Sequence, residues 1–298
     1  MFDFRYHALS LVSVFLALVL GLLLGVAIGD KGLVSSAEHD VRASLRGDVR
    51  KAQRESETLR GQRDEQNRFL QEAYPLMVGS RLIGERVGVV ALGDVSDQDI
   101  GNVRDALEAT GGRLTSVAAM RTPLDLPALS AAATGTAYEA IQRNPKLLAR
   151  FGERIGAGYV TGGGKLLDRV RRQLLQSSSG AIGGVDSVVL IREPRKFEPP
   201  QQKLLEDFED GLVAGLSDNN GTVVGVETTD TEPSQVSWYR DRGIASVDDV
   251  DQLPGRAALV FALAGADGAY GTKSSADALL PKAANSLGSV STAPSGSP

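Results

Sequence analysis

The sequence predicts an α/β protein: an N-terminal transmembrane helix and a coiled-coil helix, followed by an open, mainly parallel sheet domain with helices on both faces. Three observations predict it. Residues 8–29 carry no charged side chain, and residues 38–73 are proline-free and dense in Arg, Glu, Gln and Ala. From residue 86 onward, short continuous apolar runs alternate with helix-like segments, as in strands covered on both faces by crossover helices. The boundaries follow these shifts: an anchor at 1–30, a stalk at 31–80, a globular domain at 81–282 and a tail at 283–298.

The first segment is long enough to span a bilayer. Its 22 uncharged residues extend to roughly 33 Å as a helix, against a hydrocarbon core of about 30 Å. A removed signal has a shorter apolar region of about 7–15 residues and a small-residue cleavage site. This run is longer and closes on Gly25-Val26-Ala27-Ile28-Gly29-Asp30, so it reads as an anchor that stays. The short leader carries Arg5 and His7, which favours an amino terminus inside and a globular domain outside the cytoplasm. Gly21, Gly25 and Gly29 recur every fourth residue, a spacing that lets helices approach closely but that lone membrane helices also show.

The second segment is a helix by propensity. Counting a and d positions from Leu45 to Met77 gives seven apolar residues of ten: Leu45, Val49, Ala52, Leu59, Leu70, Ala73 and Met77. A thin seam directly after an anchor reads as a self-pairing stalk, hence a homo-oligomer through anchor and coiled coil, with a solvated lone helix as the alternative. Pro75 is expected to end or bend it.

In the domain, Arg86-Val87-Gly88-Val89-Val90-Ala91-Leu92 reads as a buried strand, and residues 96–112 as a helix that Ser96 caps and Gly111 and Gly112 end. Residues 113–120 form the next strand, 129–176 are mostly helical, and 186–193 form another strand. A helix with Pro200 near its start follows, then a strand at 221–229, a short helix around Trp238, and a final strand at 256–265. The tail is poor in apolar residues and reads as disordered.

Composition excludes several chemistries. A formal charge of -5 and a pI near 5.3 speak against nucleic acid, whose phosphates require clustered Lys and Arg. With no cysteine, and with both histidines, His7 and His39, in the anchor and stalk, thiolate sites and a Ser–His–Asp set in the domain are ruled out. No cofactor is implied. Thr161-Gly162-Gly163-Gly164-Lys165 resembles a phosphate loop but has Tyr159 where a P-loop has its first glycine and Leu166 after the lysine. A flexible loop before a helix explains it as well. Asp248, Asp249 and Asp251 lack the spacing of a calcium loop, and Ser246 or Asp248 more simply caps a turn. Trp238 and Tyr239 beside Arg240 and Arg242 form either a surface contact or, by preference, an aromatic core plug.

Two stretches together carry a family resemblance. Residues 4–30, with the His7-Ala8-Leu9-Ser10 entry to the apolar run, and residues 243–281, with Val247-Asp248-Asp249-Val250 and Gly268-Ala269-Tyr270-Gly271, are similar to the actinobacterial MctB copper-transport family. The resemblance implies an envelope protein of copper efflux or homeostasis, with copper ion as a possible partner and a channel in the outer membrane. The residues themselves fit a membrane partner and action by assembly or partner binding rather than catalysis. One helical span is unlike the alternating strands of a membrane barrel, and Met120 is the only soft ligand in the domain from residue 81 on. The opposing reading is an enzyme or ligand-binding sensor at the carboxyl edge of the sheet. There the candidate ligand or interaction loop comprises Asp94, Asp248, Asp249, Tyr270, Gly271 and Lys273.

Overall fold

A computed structural model describes residues 4–28, 32–218 and 221–282; the tail read as disordered at 283–298 lies outside the described residues. The chain divides into two units, Met1–Arg68 and Phe69–Pro298. The first holds helix α1 (Phe4–Ile28) and most of α2 (Gly32–Val78). Within α1, Tyr6–Ala27 is one helix long and apolar enough to cross a membrane, and its Leu, Val and Phe side chains are exposed. Along α2, Val41, Leu45, Val49 and Leu59 are exposed as well. Pro75 does not end α2, which runs on to Val78 and stops at Gly79, whose N–H bonds the Pro75 carbonyl at 2.9 Å.

The second unit is a seven-stranded sheet in the order β3-β2-β1-β4-β5-β6-β7. Its strands are β1 (Arg86–Leu92), β2 (Arg113–Met120), β3 (Leu175–Gly180), β4 (Ser187–Arg192), β5 (Thr222–Val226), β6 (Ala245–Val247) and β7 (Ala269–Tyr270). All neighbours pair in parallel except β2 and β3. The helices are α3 (Asp97–Leu107), α4 (Leu126–Ala132), α5 (Leu148–Thr161), α6 (Lys165–Leu174), α7 (Pro199–Ser217), α8 (Val236–Arg240) and α9 (Leu253–Leu263).

Strand periodicity divides the core. Val90, Leu92, Val188 and Leu190 meet Phe151, Ile155 and Tyr159 of α5 and Phe208 and Leu212 of α7 on one face. Val87, Val89, Val189 and Val224 point the other way, onto Val103 of α3, Leu259 of α9, and Tyr74 and Val78 from the end of α2. The Tyr74 hydroxyl, buried there, donates to the Ala106 carbonyl at 2.8 Å. Helix α3 starts as read: Ser96 accepts from the Asp99 N–H while Asp99 accepts from the Ser96 N–H, a reciprocal capping box.

Two expectations are corrected. Residues 256–265 are not a strand: 256–263 form most of α9, and Ala264 and Gly265 follow its end. A short continuous apolar run suits a buried strand or a buried helix equally; here Pro254 in the first turn and an alanine-rich run tip it to helix. The short strands β6 and β7, three and two residues long, complete this end of the sheet in its place. Residues 175–176, read as the end of a helix, instead begin β3, antiparallel to β2. Gln176-Ser177-Ser178-Ser179 has no period of its own, and pairing with β2 decides its conformation.

Candidate functional site at the carboxyl edge of the sheet

The chain passes from β1 to β2 on one side and returns at β4 on the other. This reversal opens a crevice outside the carboxyl ends of β1 and β4, where open α/β sheets bind ligands. The crevice holds about 130 Å³ and is lined by Asp94, Asp99, Arg192, Glu193, Glu227 and Thr231, among others. Its two lips are pinned by Arg195, which pairs with Asp94, with Glu193 at 2.8 Å and with the Thr122 carbonyl at 3.3 Å. Hydrogen bonding to Glu193 holds the Arg195 guanidinium above its ordinary pKa. Where a phosphate would sit on the first strand-to-helix turn, the protein supplies its own carboxylates. Glu193 accepts the Asp94 N–H at 2.9 Å, and Asp99 accepts that of Ser96 at 3.1 Å.

On the wall of the crevice, Arg192 donates to Glu209 at 3.1 Å and to Gln235 at 2.5 Å. Burial pushes the Glu209 carboxyl up, against the opposing pull of Arg192. Trp238 is held between the guanidinium groups of Arg192, 4.8 Å from the ring centre, and Arg242, at 3.8 Å. Tyr239 is the core plug: it is fully buried, its one hydroxyl proton is shared between the Leu190 and Val226 carbonyls, and its oxygen accepts the Arg192 N–H at 3.1 Å.

The candidate residues of the late block gather beside this crevice. Asp248 is buried and accepts the N–H groups of Thr272 at 2.8 Å and Lys273 at 3.2 Å. Gly271 is obligatory in this arrangement: its φ is +137°, and a Cβ there would fall on the Asp248 carboxylate. Lys273 directs its ammonium to Glu227 at 2.7 Å and to the carbonyls of Thr228 at 3.0 Å and Thr231 at 2.8 Å. Its three protons are thus all engaged. Tyr270 is buried, and its hydroxyl turns away to the Asp267 carbonyl at 2.5 Å. Asp94 lies on the opposite lip, bonded to Gln176 at 2.7 Å. The structure therefore brings together Asp248, Gly271 and Lys273, links them to Asp94 only through the crevice lined by Glu227, and leaves the Tyr270 ring outside.

Sequence reasoning missed Glu227, Arg192 and Arg195. The signal was present for the first two: each sits at or just past the carboxyl end of a buried strand, and all such ends meet at one edge. The glycine-rich turn at 162–164 serves packing, since a Cβ on Gly162 would approach the Gly184 nitrogen to 2.8 Å.

Among the described residues no group of three or more His, Cys, Asp or Glu is placed to hold a metal ion, and Met120 is buried in the core. Fold and site together define a domain with a polar, carboxylate-lined crevice, in a chain that carries a helix of membrane-spanning length. The chain belongs to the MctB family, described as copper transport outer membrane protein, whose model matches residues 1–281. Proteins named copper transporter MctB from Mycobacterium bovis and Mycobacterium tuberculosis are 32% identical over 127 residues, covering 40% of this chain. The match spans only 38% of those relatives' length.

Proposed function

We propose that this protein is a membrane-anchored, non-catalytic envelope protein that serves copper homeostasis through assembly or partner binding, with its α/β domain on the extracytoplasmic side. The observation that carries this reading is the family match, which runs unbroken through the apolar helix, α2 and the domain. Donor chemistry sets the mode of action. Cu(I) prefers thiolate and thioether ligands, and the domain offers only a core methionine, Met120. Copper is then cargo handled by an assembly rather than an ion chelated by one domain. The exposed Val41, Leu45, Val49 and Leu59 of α2 supply the seam through which copies pair.

The test is deletion of the gene, scored for copper tolerance and cell-associated copper. Loss of tolerance restored by the full chain, but not by a chain lacking residues 4–28, is expected; unchanged tolerance overturns the copper role. Protease treatment of intact cells that removes the domain but spares the anchor supports the orientation.

A second reading, a ligand-binding sensor, is favoured by one observation, the crevice at the switch between β1 and β4. Its lining combines the carboxylates Asp94, Asp99, Glu193 and Glu227 with Arg192, and Arg195 and Lys273 pair with three of those carboxylates, a polar surface suited to a small polar ligand.

A further inference from the structure

Asp249 has a role in none of the interactions described so far. Between β6 and α9 the turn Asp248-Asp249-Val250-Asp251 brings three carboxyl groups close together, and two of them are satisfied. Asp248 holds Thr272 and Lys273, and Asp251 accepts the N–H of Thr229 at 2.8 Å and its hydroxyl at 2.7 Å. Asp249 is fully buried, and neither of its carboxyl oxygens has a hydrogen-bond partner. It packs against the first turn of α9 so closely that a Cβ on Gly255 would collide with its carbonyl and carboxyl oxygens.

An ionised carboxylate in that position is both unsolvated and unpaired, a state that proteins avoid by neutralising the group. The surrounding charges do not relieve it. Asp248 and Asp251 on its own turn repel it. Lys273, from the segment after β7, attracts it but has its three protons on Glu227, Thr228 and Thr231. Arg256 of α9 is engaged by the Val250 carbonyl and by Asn102 and Asp105 of α3. Burial first, then the two aspartates, pushes the Asp249 carboxyl up to about 6.

We propose that Asp249 is a proton-operated latch: as a neutral acid it keeps residues 271–278 clasped across the carboxyl edge, and loss of its proton to water loosens that strap and the crevice wall beside it. The coupling is local and physical. Ionisation sets Asp249 against Asp248, the group that anchors Thr272 and Lys273. It also requires the turn to move toward solvent, and that turn carries Val250, whose N–H bonds the Glu227 carbonyl at 3.2 Å and whose side chain lines the crevice. A second hold, Lys273 on Glu227, Thr228 and Thr231, ends on the same wall, while Arg240 holds the far end of the strap at the Ser275 carbonyl and Asp277.

The experiment is amide hydrogen exchange of the full chain in detergent at about pH 5 and about pH 7.5, corrected for the intrinsic pH dependence of exchange, with infrared titration of the same sample. Expected are a roughly tenfold loss of protection in residues 271–278 at the higher pH, its absence in Asp249→Asn, and a protonated-carboxyl band that titrates near 6 in the native chain only. Equal protection of the native strap at both pH values, or an Asp249→Asn chain that keeps the pH dependence, overturns the proposal. Should Asp249→Asn not fold, the native chain decides: loss of strap protection tracking the infrared band supports the latch, and no such band at the lower pH overturns it.

Discussion

Lys273 and Glu227 lie 46 positions apart in sequence yet form a buried ion pair, N–O 2.7 Å, with side chains 19% and 1% exposed. Their contact clasps the segment after β7 onto the loop after β5. The second carboxylate oxygen of Glu227 accepts the Gln235 N–H, so the carboxylate is satisfied from both sides. Removing one partner of such a pair strands a charge that folding has already desolvated. Lys273→Met is therefore expected to destabilise the domain by about 3–5 kcal/mol. Pairing it with Glu227→Gln, which removes the stranded charge, recovers part of that loss. Denaturant midpoints of the two variants against the native chain check this.

The pair between Arg86 and Asp186 predicts the opposite outcome. Its geometry is bidentate, 2.8 and 3.0 Å, and Asp186 sits below the usual carboxylate pKa because it accepts hydrogen bonds from Arg86. Both side chains are nevertheless exposed, at 51% and 39%, and exposed pairs contribute little. Arg86→Ala leaves the denaturation midpoint unchanged within error. Arg192→Ala, which strands the 2%-exposed Glu209, lowers stability by about 3–5 kcal/mol.

Much of this fold was legible because the signals are local. The strand Arg86–Leu92, the Ser96 capping box and the strand Arg113–Met120 each announce themselves within ten residues or so. The errors fell where local signals are ambiguous. Residues 257–263 are apolar all round because this part of α9 is mostly buried, which erases the difference between helix and strand periods. Gln176–Gly180 becomes a strand only because β2 lies beside it. At the site, Gly271 and Asp248 were visible as a glycine turn and an acidic turn, but their union was not. Nothing in the sequence says that β6 and β7 are neighbours, and without that order Lys273 reads as a free cation rather than a saturated one.

The exposed apolar row on α2 predicts association. Replacing Leu45, Val49 and Leu59 together by Lys places charge on the seam and is expected to lower the oligomeric state of the detergent-solubilised protein, measured by light scattering. The same substitutions at Arg46, Arg50 and Arg60, adjacent but off the seam, leave it unchanged. If both sets behave alike, α2 is a solvated helix and not a pairing surface.

Asp249 also fixes how stability depends on pH. Its folded-state pKa of about 6 lies above the ordinary carboxyl value of about 3.9, so between these limits the folded chain binds more protons than the unfolded one. Stability is then greatest toward the lower limit and falls as pH rises through 6, by an amount on the order of 1–3 kcal/mol. Asp186 acts in the reverse sense. Its folded pKa is depressed, so the little that this exposed pair contributes is present above about pH 4 and is lost as pH falls below that. Asp249→Asn removes only the alkaline side of this profile: its midpoint matches the native chain at the acid end and exceeds it above pH 7. Denaturant titrations at five or six pH values decide it, and an Asp249→Asn profile that still falls through pH 6 assigns the titration to another group.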